Sequence, residues 1–190
     1  MTGRLVIVGA GQAGFALAAK LRALGDSRRI TIAGAEQSLP YQRPPLTKKY
    51  LLGEMSFDRL LFRPEQWYAD NNVEIRLSTW VEQIDRTAKQ IVTQDGSRLE
   101  YETLALATGS TPRRLPPSVG GALEGVYVAR DKRDADLLAE EMRPGRRVLI
   151  IGGGYIGLEA AAVGVCPDRF HGVPAGPDSQ PLPGHARRRR

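Results

Sequence analysis

Cysteine is almost missing from this chain: Cys166 stands alone among 190 residues. A single cysteine excludes an intramolecular disulfide and any redox-active cysteine pair. Histidine is nearly as scarce, since His171 and His185 lie apart in a Pro/Gly-rich stretch. No metal site is expected. No apolar run approaches the ~18–20 residues needed to cross a bilayer. The N-terminus lacks the basic, apolar and cleavage regions of a secretory signal, so a cytoplasmic location without membrane association is expected. The net charge is +6, and half of the excess sits in residues 164–190, where Arg169 and Arg187 to Arg190 face only Asp168 and Asp178. Without a basic face on a recognised binding motif, no nucleic-acid partner is expected.

Glycine, by contrast, is placed with purpose. Four apolar residues, Leu5 to Val8, run into Gly9, Gly11 and Gly14, and Phe15 to Leu24 then continue at helical spacing. Strand, glycine turn, helix is the context in which G-x-G-x-x-G signals a dinucleotide. The first glycine makes the tight turn, the second admits a pyrophosphate, and the third lets the helix pack on its strand. The helix start adds unpaired N–H groups and a positive dipole end. The design recurs at Arg147 to Gly157, with Gly152, Gly154 and Gly157 in the same places. Two cradles imply two dinucleotides.

Between the cradles, Arg29 to Ala33 reads as a second buried strand, with Gly25 closing the helix before it. An acidic residue often ends this strand and holds ribose hydroxyls. Here Gly34-Ala35 occupy that place and Glu36 follows, either reaching the ribose or standing as a solvated carboxylate. Pro44-Pro45 force an extended entry, after which Leu46 to Leu52 can form a short helix. Arg43, Lys48 and Lys49 bring fixed positive charge, which the pattern alone reads as solvated. Residues 64–71 predict a turn or two of helix. Val73 to Leu77, Val81 to Ile84 and Ile91 to Thr93, with the Asp95-Gly96 turn, predict a small antiparallel meander. Thr103 to Gly109 reads as a buried strand whose end faces the ligand crevice. Pro112 to Gly125 is a crossover, Gly125 to Ala129 restarts a strand, and Asp131 to Met142 is an amphipathic helix with Leu137, Leu138 and Met142 inward. Arg146 to Ile151 is expected to be the strand that delivers the second loop.

The pattern then collapses. Residues 164–190 hold five prolines and four glycines, with no apolar periodicity. Such a stretch cannot bury enough surface to offset its ordering entropy. It reads as disordered, and as out-of-frame translation after a truncating event; an arginine-rich binding tail is the alternative. The fold class is α/β. A Rossmann-like first domain spans 1–115 with an inserted antiparallel meander, and the start of a second Rossmann-like domain spans 116–163.

LPYQRPPLTKKYL (39–51), LALATGSTPR (104–113) and IGGGYIGLEAA (151–161) resemble the flavin-dependent ferredoxin reductases. These are the NADH-linked reductases of putidaredoxin, rubredoxin and dioxygenase ferredoxins, within the glutathione-reductase-like flavoproteins. The likeness runs from Arg4 to about Val163, and the family usually has Ser where Thr47 stands. It implies an FAD domain, an inserted NAD domain and a C-terminal interface domain. It also implies hydride transfer from NADH to FAD and single-electron delivery to a ferredoxin-type iron–sulfur protein. Disulfide-reducing relatives carry a cysteine pair on the helix after the second strand, and here that region has none.

Carried over by position, Gly9, Gly11, Ala13 and Gly14 hold the FAD pyrophosphate. The ribose acid falls at Ala35, with Glu36 as its substitute. Arg43 and Lys48 lie against the flavin, and Val81, Thr108, Gly109 and Arg130 make further FAD contacts. Gly152, Gly154, Ile156 and Gly157 cradle NAD. Glu159 is the carboxylate near the nicotinamide, paired with Lys48, and these two are the candidate catalytic residues. With most of the NAD domain and the interface domain missing from the likeness, the chain is expected to be a truncated fragment that binds FAD weakly or not at all. On that expectation it is inactive. The alternatives are a non-catalytic nucleotide-binding remnant and a related NADH-dependent flavoprotein serving quinone or oxygen.

Overall fold

The computed structural model describes residues 3–143 and 145–164, which fall into two compact units. The tail beyond residue 164, with Cys166, His171 and His185, lies outside the described residues. One unit comprises residues 1–42 and 57–111; the other comprises 43–56 and 112 onward.

The first unit is built on a parallel sheet. Its strands are β1 (Arg4–Val8), β2 (Arg29–Ala33), β3 (Val73–Arg76) and β7 (Thr103–Leu106), in the order β3-β2-β1-β7. Leu5 pairs in register with Ile30 and with Thr103. β1 and β2 are buried on both faces, as their near-continuous apolar runs require. On one face, Leu5, Ile7, Ile30 and Ile32 pack on Phe15 and Ala18 of α1 (Gln12–Ala23) and Tyr68 of α2 (Glu65–Asp70). On the other, Val6, Val8 and Ala33 pack on Ile91 and Leu99. Those two come from an antiparallel sheet of β4 (Val81–Asp85), β5 (Gln90–Thr93) and β6 (Arg98–Glu100). The period-two alternation of β1 thus feeds two separate cores.

α1 ends as its sequence predicts. Gly25 is left-handed (φ +79°), its N–H donates to Arg22 O, and Asp26 N–H donates back to Leu21 O. This is a Schellman closure. Arg22 locks the corner, its guanidinium donating to the carbonyls of Asn71 (2.5 Å), Asp26 (2.6 Å), Arg28 (2.8 Å) and Asn72 (2.9 Å).

The meander is smaller than expected. Val73–Arg76 is not part of it but the edge strand of the parallel sheet, with Val73 opposite Ile30. An edge strand with one face half-exposed alternates just as an antiparallel strand does, so pattern could not separate them.

In the second unit the expected helix over 46–52 is a 3-10 turn, Pro44–Thr47, followed by further turns. α3 (Lys132–Glu141) begins in a capping box: Asp131 accepts from Asp134 N–H, and the Asp134 carboxylate accepts from Asp131 N–H. Its buried residues are Ala135 and Ala139, with Met142 just past its end, while Leu137 and Leu138 are only half-buried. Small side chains turn inward because the 43–56 segment comes close. Tyr50 and Leu51 are fully buried, and the Tyr50 hydroxyl donates to Asp136 Oδ1 at 2.6 Å. α4 (Tyr155–Gly164) contributes Val163 to the same cluster as Leu51, Ala139 and Met142. The strands expected at 125–129 and 146–151 are not formed among the described residues. A strand needs a ladder partner. Without one, Val148, Leu149 and Ile151 stand exposed.

Candidate functional site

Two loops carry the first part of the site, and their local geometry is the same. Gly9 has φ +113° and Gly152 has φ +116°, a conformation open to glycine and costly for other residues. A Cβ on Gly14 would sit 2.0 Å from Gly9 O and 3.3 Å from Ile7 Cγ2. On Gly157 it would sit 2.3 Å from Gly152 O and 3.3 Å from Ile150 Cγ2. Helix and loop therefore touch through the third glycine in both copies, as close packing demands. A Cβ on Gly11 or Gly154 would meet nothing within 4 Å. The middle glycine of each loop faces open space, where a phosphate can approach the backbone. The first helical bonds also match: Phe15 N–H to Gly11 O and Leu158 N–H to Gly154 O, both 3.0 Å. The amides of Gln12, Ala13 and Gly14, and of Tyr155, Ile156 and Gly157, precede those bonds and form the positive helix ends.

The loops differ in their walls. Gly9 N–H donates to Ala33 O at 2.7 Å, and a Cβ on Gly9 would meet Ala107 O at 2.1 Å and Thr108 N at 3.1 Å. Gly9 is wedged between the ends of β2 and β7, which brings Thr108 and then Gly109 to the first cradle. Nothing lies within 4 Å of the same position on Gly152.

Glu36 follows β2, half-buried, and its Oε2 accepts from the Tyr41 hydroxyl at 2.6 Å. The 78–81 turn is tied beside it, Thr79 N–H donating to Gly34 O and Ser78 N–H to Glu36 O. Val81 starts β4 from there. The first unit thus gathers Gly9 to Gly14, Glu36, Val81, Thr108 and Gly109 around the C-terminal ends of its parallel strands, where ligands bind in open α/β sheets.

In the second unit, Arg43 Nη1 donates to Arg130 O at 2.8 Å. Lys48 is not solvated in the way its pattern suggests: its Nζ lies 3.0 Å from Oε1 of Glu159 on α4. Thr47 Oγ1 donates to the other oxygen, Oε2, at 2.8 Å. The bonds from Lys48 and then Thr47 hold the Glu159 carboxyl below the usual glutamate range. The pair sits one turn beyond the second glycine loop. Thr47 and Tyr41 are the residues that sequence reasoning missed as site partners. Both lie within the 39–51 stretch, but a hydroxyl gives no periodic signal.

Among the described residues there is no His/Cys/Asp/Glu group able to hold a metal, and no helix is long and apolar enough to cross a membrane. The family model for pyridine nucleotide-disulphide oxidoreductases matches residues 3–165. The chain belongs to this family. It is 45% identical over 159 residues to a ferredoxin–NAD(P)(+) reductase of a Sphingomonas species, covering 84% of this chain and 38% of that protein. With rhodocoxin reductase of Rhodococcus erythropolis it shares 41% identity over 158 residues, 83% of this chain and 37% of that one. Its fold matches putidaredoxin reductase in a covalent complex with putidaredoxin, with a TM-score of 0.81 and 38% identity over 86% of this chain and 40% of the other. The chain therefore spans about two-fifths of the length of these relatives. Membership implies FAD and a nicotinamide nucleotide, and the two cradles fit diphosphates: open space at the middle glycine, bare amides, and a third glycine that no larger residue could replace.

Proposed function

We propose that this chain carries the FAD-binding part and the first nicotinamide-nucleotide loop of a flavoprotein that passes electrons from NAD(P)H to a ferredoxin-type iron–sulfur protein. The repeated glycine geometry carries the reading. Within the first unit, Gly9, Gly11, Ala13 and Gly14 hold the FAD pyrophosphate, Glu36 takes a ribose hydroxyl, and Val81, Thr108 and Gly109 line the cofactor. Within the second, Gly152, Gly154, Ile156 and Gly157 hold the nicotinamide nucleotide. Arg43, Arg130 and Lys48 supply cofactor contacts, and Glu159 is the carboxylate near the nicotinamide. The chemistry that FAD supplies when bound is acceptance of a hydride from NAD(P)H and release of single electrons. The residues contribute placement and charge: the Lys48 ammonium favours negative charge developing nearby, and Glu159 keeps that ammonium in place.

The acceptor class follows from chemistry and kinship together. The family name includes disulphide reduction, yet residues 39–52 contain no cysteine and only Cys166 occurs in the chain. The lack of a cysteine pair in that segment supports electrons leaving from the flavin itself, which suits a one-electron acceptor. The named relatives are, by name, reductases of ferredoxin, rhodocoxin and putidaredoxin.

The test is an FAD fluorescence titration of the chain and of Gly11→Ala. Of the two expectations for the chain alone, weak binding or none, the formed first cradle favours weak binding. A weak saturable quench is expected, which the variant diminishes at near-parent thermal stability, because the methyl enters only the phosphate space. Equal binding by both, or none by either, rejects the reading. Alone, the chain is expected not to turn over, since the approach to its second cradle stands unpaired with Val148, Leu149 and Ile151 exposed. NAD(P)H-dependent reduction of a ferredoxin or dye by the purified chain contradicts that part.

A further inference from the structure

Thr47 and Lys48 are consecutive residues that close on the two oxygens of one carboxylate. Thr47 Oγ1 reaches Glu159 Oε2 at 2.8 Å and Lys48 Nζ reaches Oε1 at 3.0 Å. Both donors leave one short turn, whose backbone is fixed by Pro44-Pro45 and by the Lys48 N–H donating to Pro45 O. The acceptor comes from α4, on the far side of the sequence.

The two bonds do different things. An ammonium is a point charge on a long stem and specifies no plane, so a lysine alone leaves a carboxylate free to swing. A β-branched threonine has a stiff χ1 and ties its hydroxyl to the backbone. With the second oxygen held by that hydroxyl, the carboxylate has one orientation left. Each oxygen keeps a further acceptor site, and its direction is then set as well. Leu46, immediately before Thr47, is buried and anchors the turn.

We propose that Thr47 is a positioning residue for the Lys48–Glu159 pair, its hydroxyl fixing the carboxylate plane in which Glu159 meets the ammonium. This deepens the role given above to that pair and rests on it. The held carboxylate is the ionised form, since the ammonium and the donated hydroxyl bond both favour its negative charge. The downward displacement of the Glu159 carboxyl agrees with this.

The test is a carbon-13 carboxyl titration of Glu159 by NMR in the full chain, with Thr47→Val and Thr47→Ser, each checked for fold by circular dichroism. Thr47→Val keeps the branched shape and removes the donor. Its Glu159 is expected to titrate at higher pH than in the parent, with the Lys48 ζ resonances displaced. Thr47→Ser is expected to restore both readings. Coincident titrations of parent and Thr47→Val overturn the proposal, because a merely structural threonine would change stability and leave the carboxyl alone. Should the valine variant not fold, Thr47→Ala, which also removes the donor, decides: an upward-moved titration supports the proposal, and a parent-like one overturns it. The readout needs no cofactor. A chain that takes up no FAD therefore contradicts the proposed function and not this inference.

Discussion

Gly9 and Gly152 hold the same left-handed backbone, φ +113° and +116°, in two loops far apart in the chain. In each loop the glycine five residues on is pressed against its carbonyl oxygen. The first loop is embedded in a four-stranded sheet, whereas the second is approached by unpaired chain. Equal local geometry in unequal surroundings says that the loop conformation is set by its own glycines and the helix start.

The three glycines of the first loop should respond differently to the same methyl group. Gly14→Ala forces a Cβ to within 2.0 Å of Gly9 O, a backbone atom that cannot step aside. It is expected to cost about 1–3 kcal/mol or more of stability. Gly11→Ala meets nothing and, as an N-cap change, should cost at most ~1 kcal/mol. Urea unfolding followed by circular dichroism separates them, and equal costs contradict the packing described.

Arg22 offers a second measurement. Four backbone carbonyls share its guanidinium, closing the end of α1 onto the ends of α2 and the start of β2. A lysine presents a point charge in place of the planar fork. Arg22→Lys is expected to lose about 1–3 kcal/mol, because acceptors in this corner lose charged donors. A denaturation midpoint that does not move would show that water replaces the guanidinium at no cost.

In the second unit, Tyr50 is expected to behave as a buried tie. Burial, and then the hydrogen bond to Asp136, push its phenol up, so tyrosinate formation at this site should lag behind the exposed tyrosines in an ultraviolet titration. The raised folded value means that its stabilising part is present below the unfolded value and is lost as pH rises through the folded one. Tyr50→Phe keeps the ring and removes the bond to a carboxylate that Lys132 still holds at 2.7 Å. A loss of about 1–2 kcal/mol is expected.

Glu159 gives the opposite pH dependence. Its folded carboxyl is lowered, so its contribution is present above the unfolded value and fades as pH falls through the folded value. Thermal unfolding should place the parent above Glu159→Gln at pH 7, with the gap closing in acid. A gap that persists unchanged at pH 3 would mean that packing, not charge, separates the two.

How much of this could be read in advance differs by element. Arg4 to Gly14 was legible through strand, turn and helix, because each glycine answers a local steric demand. β7 was legible as a strand over Thr103–Leu106 but not in its burial, since Leu106 stands exposed. The placement of Val73–Arg76 was not, since an edge strand and a meander strand share one alternation. Arg146 to Ile151 carries strand-forming residues without a strand, because pairing is a property of the neighbour and not of the segment. At the site, the Lys48–Glu159 pair came from likeness to a family. The hydroxyls of Thr47 and Tyr41 depend on contacts that no spacing announces.

The wedge that Gly9 makes between Ala33 and Ala107 has a mechanical corollary. Because both neighbouring strands bear on that one residue, the first phosphate seat can only loosen when the sheet itself gives way, and amide exchange there should track global unfolding. Gly152 has no such abutments, so its seat is free to breathe by itself. Two grips of one design are thus set at different stiffness by what stands beside them.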